Sequence, residues 1–342
     1  MPFLHQLLSL VMPHSAGNQQ QPASKNTLTE KSRAKAATQD LTLRALSKTI
    51  IKEASHKTAA NYVTALRSIA AFNNGCDVTL RQLRPPFLTA YEQWLRERGV
   101  CPNTSSCYMR SLRALYNKVV EKHHLRNARP FERVYTGCAR TEARVISRAD
   151  INRLRTLPLP QHSPAALSRD LFLFSFYAMG MPFVDLAFLH TSQIQGDTLT
   201  YYRHKTHQRV TVHLEPCMKG IISRYADERS PYVFPILSTS YCGTSDAQYD
   251  LRLTQHNKQL KRLGAMAGIA TPLSSYTPRR SWATIAFMRN IEMDTISRAL
   301  GHTNSRTTLI YVRQHNEQKQ EKANREILKY VIDMSSTKEV FT

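Results

Sequence analysis

Acidic residues are scarce in this chain. Among 342 residues, 25 Asp and Glu stand against 47 Lys and Arg, a formal net charge of +22. An excess of this size attracts polyanions, nucleic acid first among them. The positive side chains are spread along the sequence instead of gathering in one tail, which favours two domains that both touch the polyanion. No run of about 18 apolar residues exists, so no helix long and apolar enough to span a bilayer is expected, and no membrane partner. The opening MPFLHQLLSLVM is apolar but lacks a basic start and a small-residue cleavage site, so a signal peptide is not expected there. The six cysteines, Cys76, Cys101, Cys107, Cys138, Cys217 and Cys242, form no CxxC pair and no finger spacing with histidine. They read as reduced thiols in a cytoplasm, with no structural zinc. Neither a phosphate-cradling glycine loop nor an acidic metal cluster is found, so neither ATP nor a metal is expected as a cofactor.

What is present is concentrated between Tyr276 and Arg313, YTPRRSWATIAFMRNIEMDTISRALGHTNSRTTLIYVR. It reads as three short helices: one opening near Pro278, one over Asp294 to Leu300 that stops at Gly301, and one starting after Asn304. Proline in a first turn and glycine just past a last one are the expected punctuation. Such a fold gathers Arg279, His302 and Tyr311 from three elements. Arginine is a permanently charged fork that clamps a phosphate with two hydrogen bonds. Histidine can donate to a further oxygen, and a tyrosine phenol can attack phosphorus. Taken singly, these residues read as a solvated cation, a helix cap and a half-buried ring. Together they describe phosphodiester cleavage through a phosphotyrosine.

The segments RRSWAT, Leu300-Gly301-His302 and TTxxY ending at Tyr311, nine positions after His302, resemble the signature of the tyrosine recombinases, or phage integrase family. The resemblance implies a mainly α fold with a small β-sheet, in which a helical core-binding domain precedes a mixed α/β catalytic domain. It also implies a family arginine two residues after the glycine of a G-x-R-x-x-E/D pattern. Here the residues are Gly180, Met181, Pro182, Phe183, Val184 and Asp185, so proline occupies the arginine position. The chain is similar in this to the divergent integrases and invertases of Bacteroides-type bacteria. Losing one positive donor from such a site costs roughly 3 to 4 kcal/mol of barrier unless another group replaces it. Residues 198–213 alternate as a hairpin around Lys205-Thr206-His207, where the family keeps a catalytic lysine, and Lys205 matches it. Arg203, two residues earlier on the same strand, is expected on the same face and is the candidate replacement for the missing arginine. The family's H-x-x-R is Tyr276-x-x-Arg279 here, which makes Tyr276 an orienting donor and moves proton handling toward His302.

The implied reaction is attack by Tyr311, with Arg279, His302 and Arg203 on the phosphate oxygens and Lys205 protonating the leaving 5′ oxygen. Its product is a 3′-phosphotyrosine resolved by a second strand. Partners implied are double-stranded DNA, further copies of the chain in a dimer or tetramer, and accessory DNA-bending proteins that give direction. Integration or excision of a mobile element and inversion of a DNA segment both remain open. So do a catalytically impaired DNA-binding regulator and a strand relaxation like that of type IB topoisomerases.

Around this core the chain divides by composition. Residues 1–40 are polar and expected to be poorly ordered. Residues 41–127 carry four helical periods, over 41–53, 58–72, 80–97 and 103–123, and resemble the core-binding domain. Lys57, Arg67, Arg110, Arg113 and Lys118 fall outside the apolar stripes and are candidate DNA phosphate contacts. Residues 128–146 lack a clear period and read as a linker. The catalytic domain is expected over 147–342, starting at a Ser147–Asp150 capping box and ending in a charged helical tail.

Overall fold

The computed structural model describes residues 38, 40–139, 144–304, 307–309 and 324–328. Nearly all of the segment expected to be poorly ordered, and most of the tail helix, lie outside the described residues. The chain divides into two compact units, Met1–Arg140 and Thr141–Thr342.

Among the described residues, unit 1 is built on the helices α1 (Leu43–Glu53), α2 (His56–Phe72), α3 (Pro85–Glu97) and α4 (Pro102–Lys122). Their starts are chemical. Thr42 accepts the Ala45 amide at the head of α1, while Pro85 and Pro102 occupy first turns where a missing N–H costs nothing. The third helix therefore begins at Pro85 and not at Leu80, because the residue before a proline is pushed to extended backbone, as Arg84 is (φ −125°). Tyr62, Leu66 and Ile69 of α2 meet Leu88, Tyr91 and Leu95 of α3 and Met109, Leu112 and Leu115 of α4 in one core. Each such side chain contributes about 1.5–3 kcal/mol. Lys57, Arg67, Arg110, Arg113 and Lys118 are all exposed. Arg113 spends one donor on Thr136.

The expected linker is packed over its first half. Phe131 and Val134 are buried in the core of unit 1, Ser106 donates to the Gly137 carbonyl, and Asn103 exchanges two hydrogen bonds with Ala139. Periodicity failed to show this because the segment is held by long-range contacts, without a helix or strand of its own.

In unit 2 the expected capping box forms: Ser147 accepts the Asp150 amide, and the Asp150 carboxylate accepts the Ser147 amide. It starts α5 (Arg148–Thr156), followed by α6 (Pro164–Tyr177) and α7 (Phe183–Ala187). An antiparallel three-stranded sheet comes next, ordered β1 (Ile194–Gln195), β2 (Thr198–Tyr202), β3 (Arg209–His213), with Thr200 opposite Thr211. Then come α8 (Pro216–Arg224), α9 (Ser245–Met266), α10 (Thr277–Met288) and α11 (Met293–Ala299). The core gathers Leu171, Phe172 and Phe174 of α6, Leu199, Val210 and Val212 of the sheet, and Leu260 and Leu263 of α9. Every residue of α6 from Asp170 to Ser175 is buried, with the Asp170 carboxylate held by Arg169, Arg224 and the Tyr225 hydroxyl, which fixes the helix as the strut under the rest of the unit.

One buried group gives unit 2 a pH dependence. His256 of α9 is 6% exposed, stacks on Phe183 at 4.5 Å, and its Nδ1 has no hydrogen-bond partner. Burial pushes its pKa down to about 3. Between that value and the ordinary 6.5 the unfolded state binds more protons, so stability is complete above pH 6.5 and is lost as pH falls, by roughly 1.4 kcal/mol per unit. His256→Phe keeps the ring stack and removes the titrating group. The gap between its melting temperatures at pH 7.5 and pH 5 is expected to be narrower than in the wild type, and an equal gap would mean that the imidazole is solvated.

Candidate phosphodiester-cleavage site

The site lies wholly within unit 2 and is built on the end of α11. There Gly301 adopts φ +62°, its amide bonds the Arg298 carbonyl, and the His302 amide bonds the Ser297 carbonyl. This glycine-capped stop satisfies two of the last-turn carbonyls and leaves that of Leu300 turned outward. Two arginines fill the gap. Arg279 Nη2 donates to the Leu300 carbonyl at 2.6 Å, and Arg203 Nη1 donates to the same oxygen.

Arg279 comes from the first turn of α10 and is 2% exposed. It also donates through Nη1 to the Gly180 carbonyl at 2.9 Å and through Nη2 to His302 Nε2 at 2.9 Å. Three of its N–H groups are thus used on the protein, and a guanidinium has more to offer a ligand. Gly180 is required by this approach: at φ +73°, a Cβ there would stand 2.8 Å from the Arg279 Cα. Gly301 is required likewise, since a Cβ would meet Arg203 Cγ at 2.8 Å.

Arg203 follows β2 and is 7% exposed. Its Nε lies 2.8 Å from Asp185 Oδ2, an ionic contact off the line of a hydrogen bond. Asp185 Oδ1 accepts the His204 amide at 2.8 Å, and Thr206 Oγ1 donates to the Gly301 carbonyl at 3.1 Å, so the hairpin tip is docked at both sides. Burial raises the Asp185 carboxyl above its usual range, opposed by the His204 amide and by Arg203 and Arg279. Burial lowers Arg203, and Arg279 adds to that, while Asp185 works the other way. Arginine keeps its proton even so. Among the described residues, two buried guanidinium groups therefore face one carboxylate, and the balance of charge is positive.

Lys205 does not share the face of Arg203. Strand pairing ends at Tyr202, and Arg203 and Gln208 close a turn through 204–207 in which Lys205 is exposed. The alternation of a strand stops where the turn begins. Lys205 still contributes, after burial, Arg279 and Arg203, to pushing the His302 pKa down to about 4. Tyr276 caps α10, is exposed, and has the Arg280 guanidinium 5.6 Å over its ring.

His302 is neutral at pH 7, and its Nε2 faces a group that can only donate. A lone pair is therefore on Nε2 and the proton on Nδ1, which donates to Thr308 Oγ1 at 2.8 Å. The donor role expected from the sequence needs the opposite tautomer. Tyr311 lies outside the described residues. Sequence reasoning assigned no role to Asp185, Thr206 or Thr308. The first stood in the G-x-R-x-x-E/D pattern and the last in TTxxY, but only contacts across the fold reveal what they hold.

A helical unit followed by this mixed unit is the fold of the tyrosine recombinases. The sequence profile of the phage integrase SAM-like domain matches residues 42–134, and that of the phage integrase family matches residues 144–318. The chain belongs to the phage integrase family, the tyrosine recombinases. Solved structures share the fold at low identity. A λ integrase dimer bound to a COC′ core site is 14% identical over 85% of this chain and 81% of that one, with a TM-score of 0.59. The Tn1549 transposon integrase in complex with circular intermediate DNA is 12% identical over 80% of this chain and 95% of that one, with a TM-score of 0.57. XerH bound to a palindromic difH substrate is 14% identical over 86% and 88%, with a TM-score of 0.60. No curated protein sequence matches the chain.

Proposed function

We propose that the chain is a site-specific DNA recombinase that cuts and rejoins strands through a 3′-phosphotyrosine on Tyr311. The observation that carries this reading is the convergence of Arg203 and Arg279 on the Leu300 carbonyl, with Asp185 as the carboxylate paired to Arg203 among the described residues. A buried site with surplus positive charge is stabilised by an anion, and a backbone phosphate supplies one. The phosphate oxygens would compete with His302 for the Arg279 Nη2 hydrogens and so release the Nε2 lone pair. Tyr311 then attacks phosphorus as its phenolic proton passes to His302 Nε2. The P–O5′ bond breaks, and Lys205 supplies the proton that the leaving 5′ oxygen takes up. Arg203 stands in for the arginine that Pro182 displaces, and Tyr276 orients the phosphate through its hydroxyl. The bond energy stays in the phosphotyrosine, and a second strand's 5′ hydroxyl resolves it.

The DNA-bound dimers among the structural neighbours support double-stranded DNA and self-association as partners. Exposed Lys57, Arg67, Arg110, Arg113 and Lys118 on unit 1 would add phosphate contacts, and with them a salt-dependent affinity. Integration or excision of an element and inversion of a segment both fit this chemistry. Pro182 favours a second reading, a DNA-binding regulator that no longer cuts.

A duplex nicked just 3′ of the scissile phosphate tests the proposal, because loss of the short 5′-hydroxyl fragment traps the intermediate. A denaturant-stable protein–DNA adduct is expected. Binding without an adduct would support the regulator, and relaxation of supercoiled DNA lacking matched sites would support a topoisomerase-like activity.

A further inference from the structure

We propose that Thr308 is a positioning residue for strand cleavage: its hydroxyl holds His302 in the tautomer whose Nε2 lone pair can take a proton. The inference rests on the cleavage reading above and adds to it the device that prepares the base.

The tautomer follows from the two ring partners. Arg279 Nη2, 2.9 Å from Nε2, is a donor and nothing else, so Nε2 accepts. The imidazole proton is then on Nδ1, where Thr308 Oγ1 at 2.8 Å receives it. Thr308 is wholly buried, with helical backbone at 307–309, so water does not compete for this bond. A buried N–H that loses its acceptor costs about 1–3 kcal/mol. That penalty is avoided by moving the proton to Nε2, which abolishes the base and opposes the Arg279 hydrogen bond as well.

Thr308→Val preserves shape and removes the acceptor, while Thr308→Ser keeps the hydroxyl. On the nicked duplex, Thr308→Val is expected to form the adduct at least ~10-fold more slowly than wild type at unchanged DNA affinity, with the protein still folded and only a modest drop in melting temperature, and Thr308→Ser within ~3-fold of wild type. In the DNA-free protein, ¹⁵N chemical shifts of the His302 ring should report a protonated Nδ1 in wild type and Thr308→Ser, and a shift toward protonated Nε2 in Thr308→Val. Equal rates for valine and wild type, equal slowing by valine and serine, or an unchanged tautomer in Thr308→Val would each overturn the proposal. If wild type forms no adduct, the cleavage reading fails, and the ring shifts alone still decide whether Thr308 sets the tautomer.

Discussion

Arg279→Ala is expected to lower adduct formation on the nicked duplex by at least ~10³-fold, because it removes a bidentate, fully charged donor from a preorganised site. The residue also holds the site's parts together. Its loss leaves the Gly180 and Leu300 carbonyls short of a donor and releases His302 Nε2. Each unsatisfied buried carbonyl costs about 1–3 kcal/mol, so a lower melting temperature should accompany the loss of cleavage. Arg279→Lys separates the two effects. An ammonium can reach one of the three acceptors but cannot reproduce the planar fork, so stability should recover in part while cleavage stays low. Cleavage near the wild-type rate in Arg279→Lys would show that a point charge suffices and that the fork geometry has no role.

Arg203→Ala and Arg203→Lys are both expected to cleave about 10²–10³-fold more slowly than wild type, the usual consequence of deleting one transition-state donor. Here too stability and chemistry are entangled, since removing Arg203 leaves Asp185 buried without its cation, a loss of about 3–5 kcal/mol. The double variant Arg203→Ala with Asp185→Asn takes away both charges. It should melt closer to wild type than Arg203→Ala alone and cleave no faster. Were cleavage restored along with stability, Arg203 would be a structural partner of Asp185, and the cation that replaces the arginine missing at Pro182 would have to be sought elsewhere. Near-normal adduct formation in both single variants would discard the role altogether.

The sequence made the helices and the motif order legible because both are local. Apolar residues recur at helical spacing through Tyr62, Leu66 and Ile69, proline opens α3, α4 and α10, and Ser147 with Asp150 writes its own cap. The same logic located Arg279, and the Gly301 stop placed His302 just beyond a helix end. What remained hidden depends on contacts across the fold. Arg203 and Lys205 look alike on an alternating strand, yet pairing ends at Tyr202, so one is buried against Asp185 and the other is exposed. The Leu300 carbonyl, on which both arginines converge, is a backbone atom, and no residue type announces it. Thr308 stood inside a recognised motif without a task until the His302 ring partners were visible. The expected linker misled for a related reason: Phe131 and Val134 are too few to make a period, though both are buried.

The most direct test of the central claim is the identity of the amino acid joined to DNA. Adduct from the nicked duplex, digested with nuclease and protease and read by tandem mass spectrometry, should carry a nucleotide 3′-phosphate on the Tyr311 hydroxyl, and Tyr311→Phe should give none. A nucleotide on Tyr276 or on any other side chain, or an adduct that persists undiminished in Tyr311→Phe, would contradict the account.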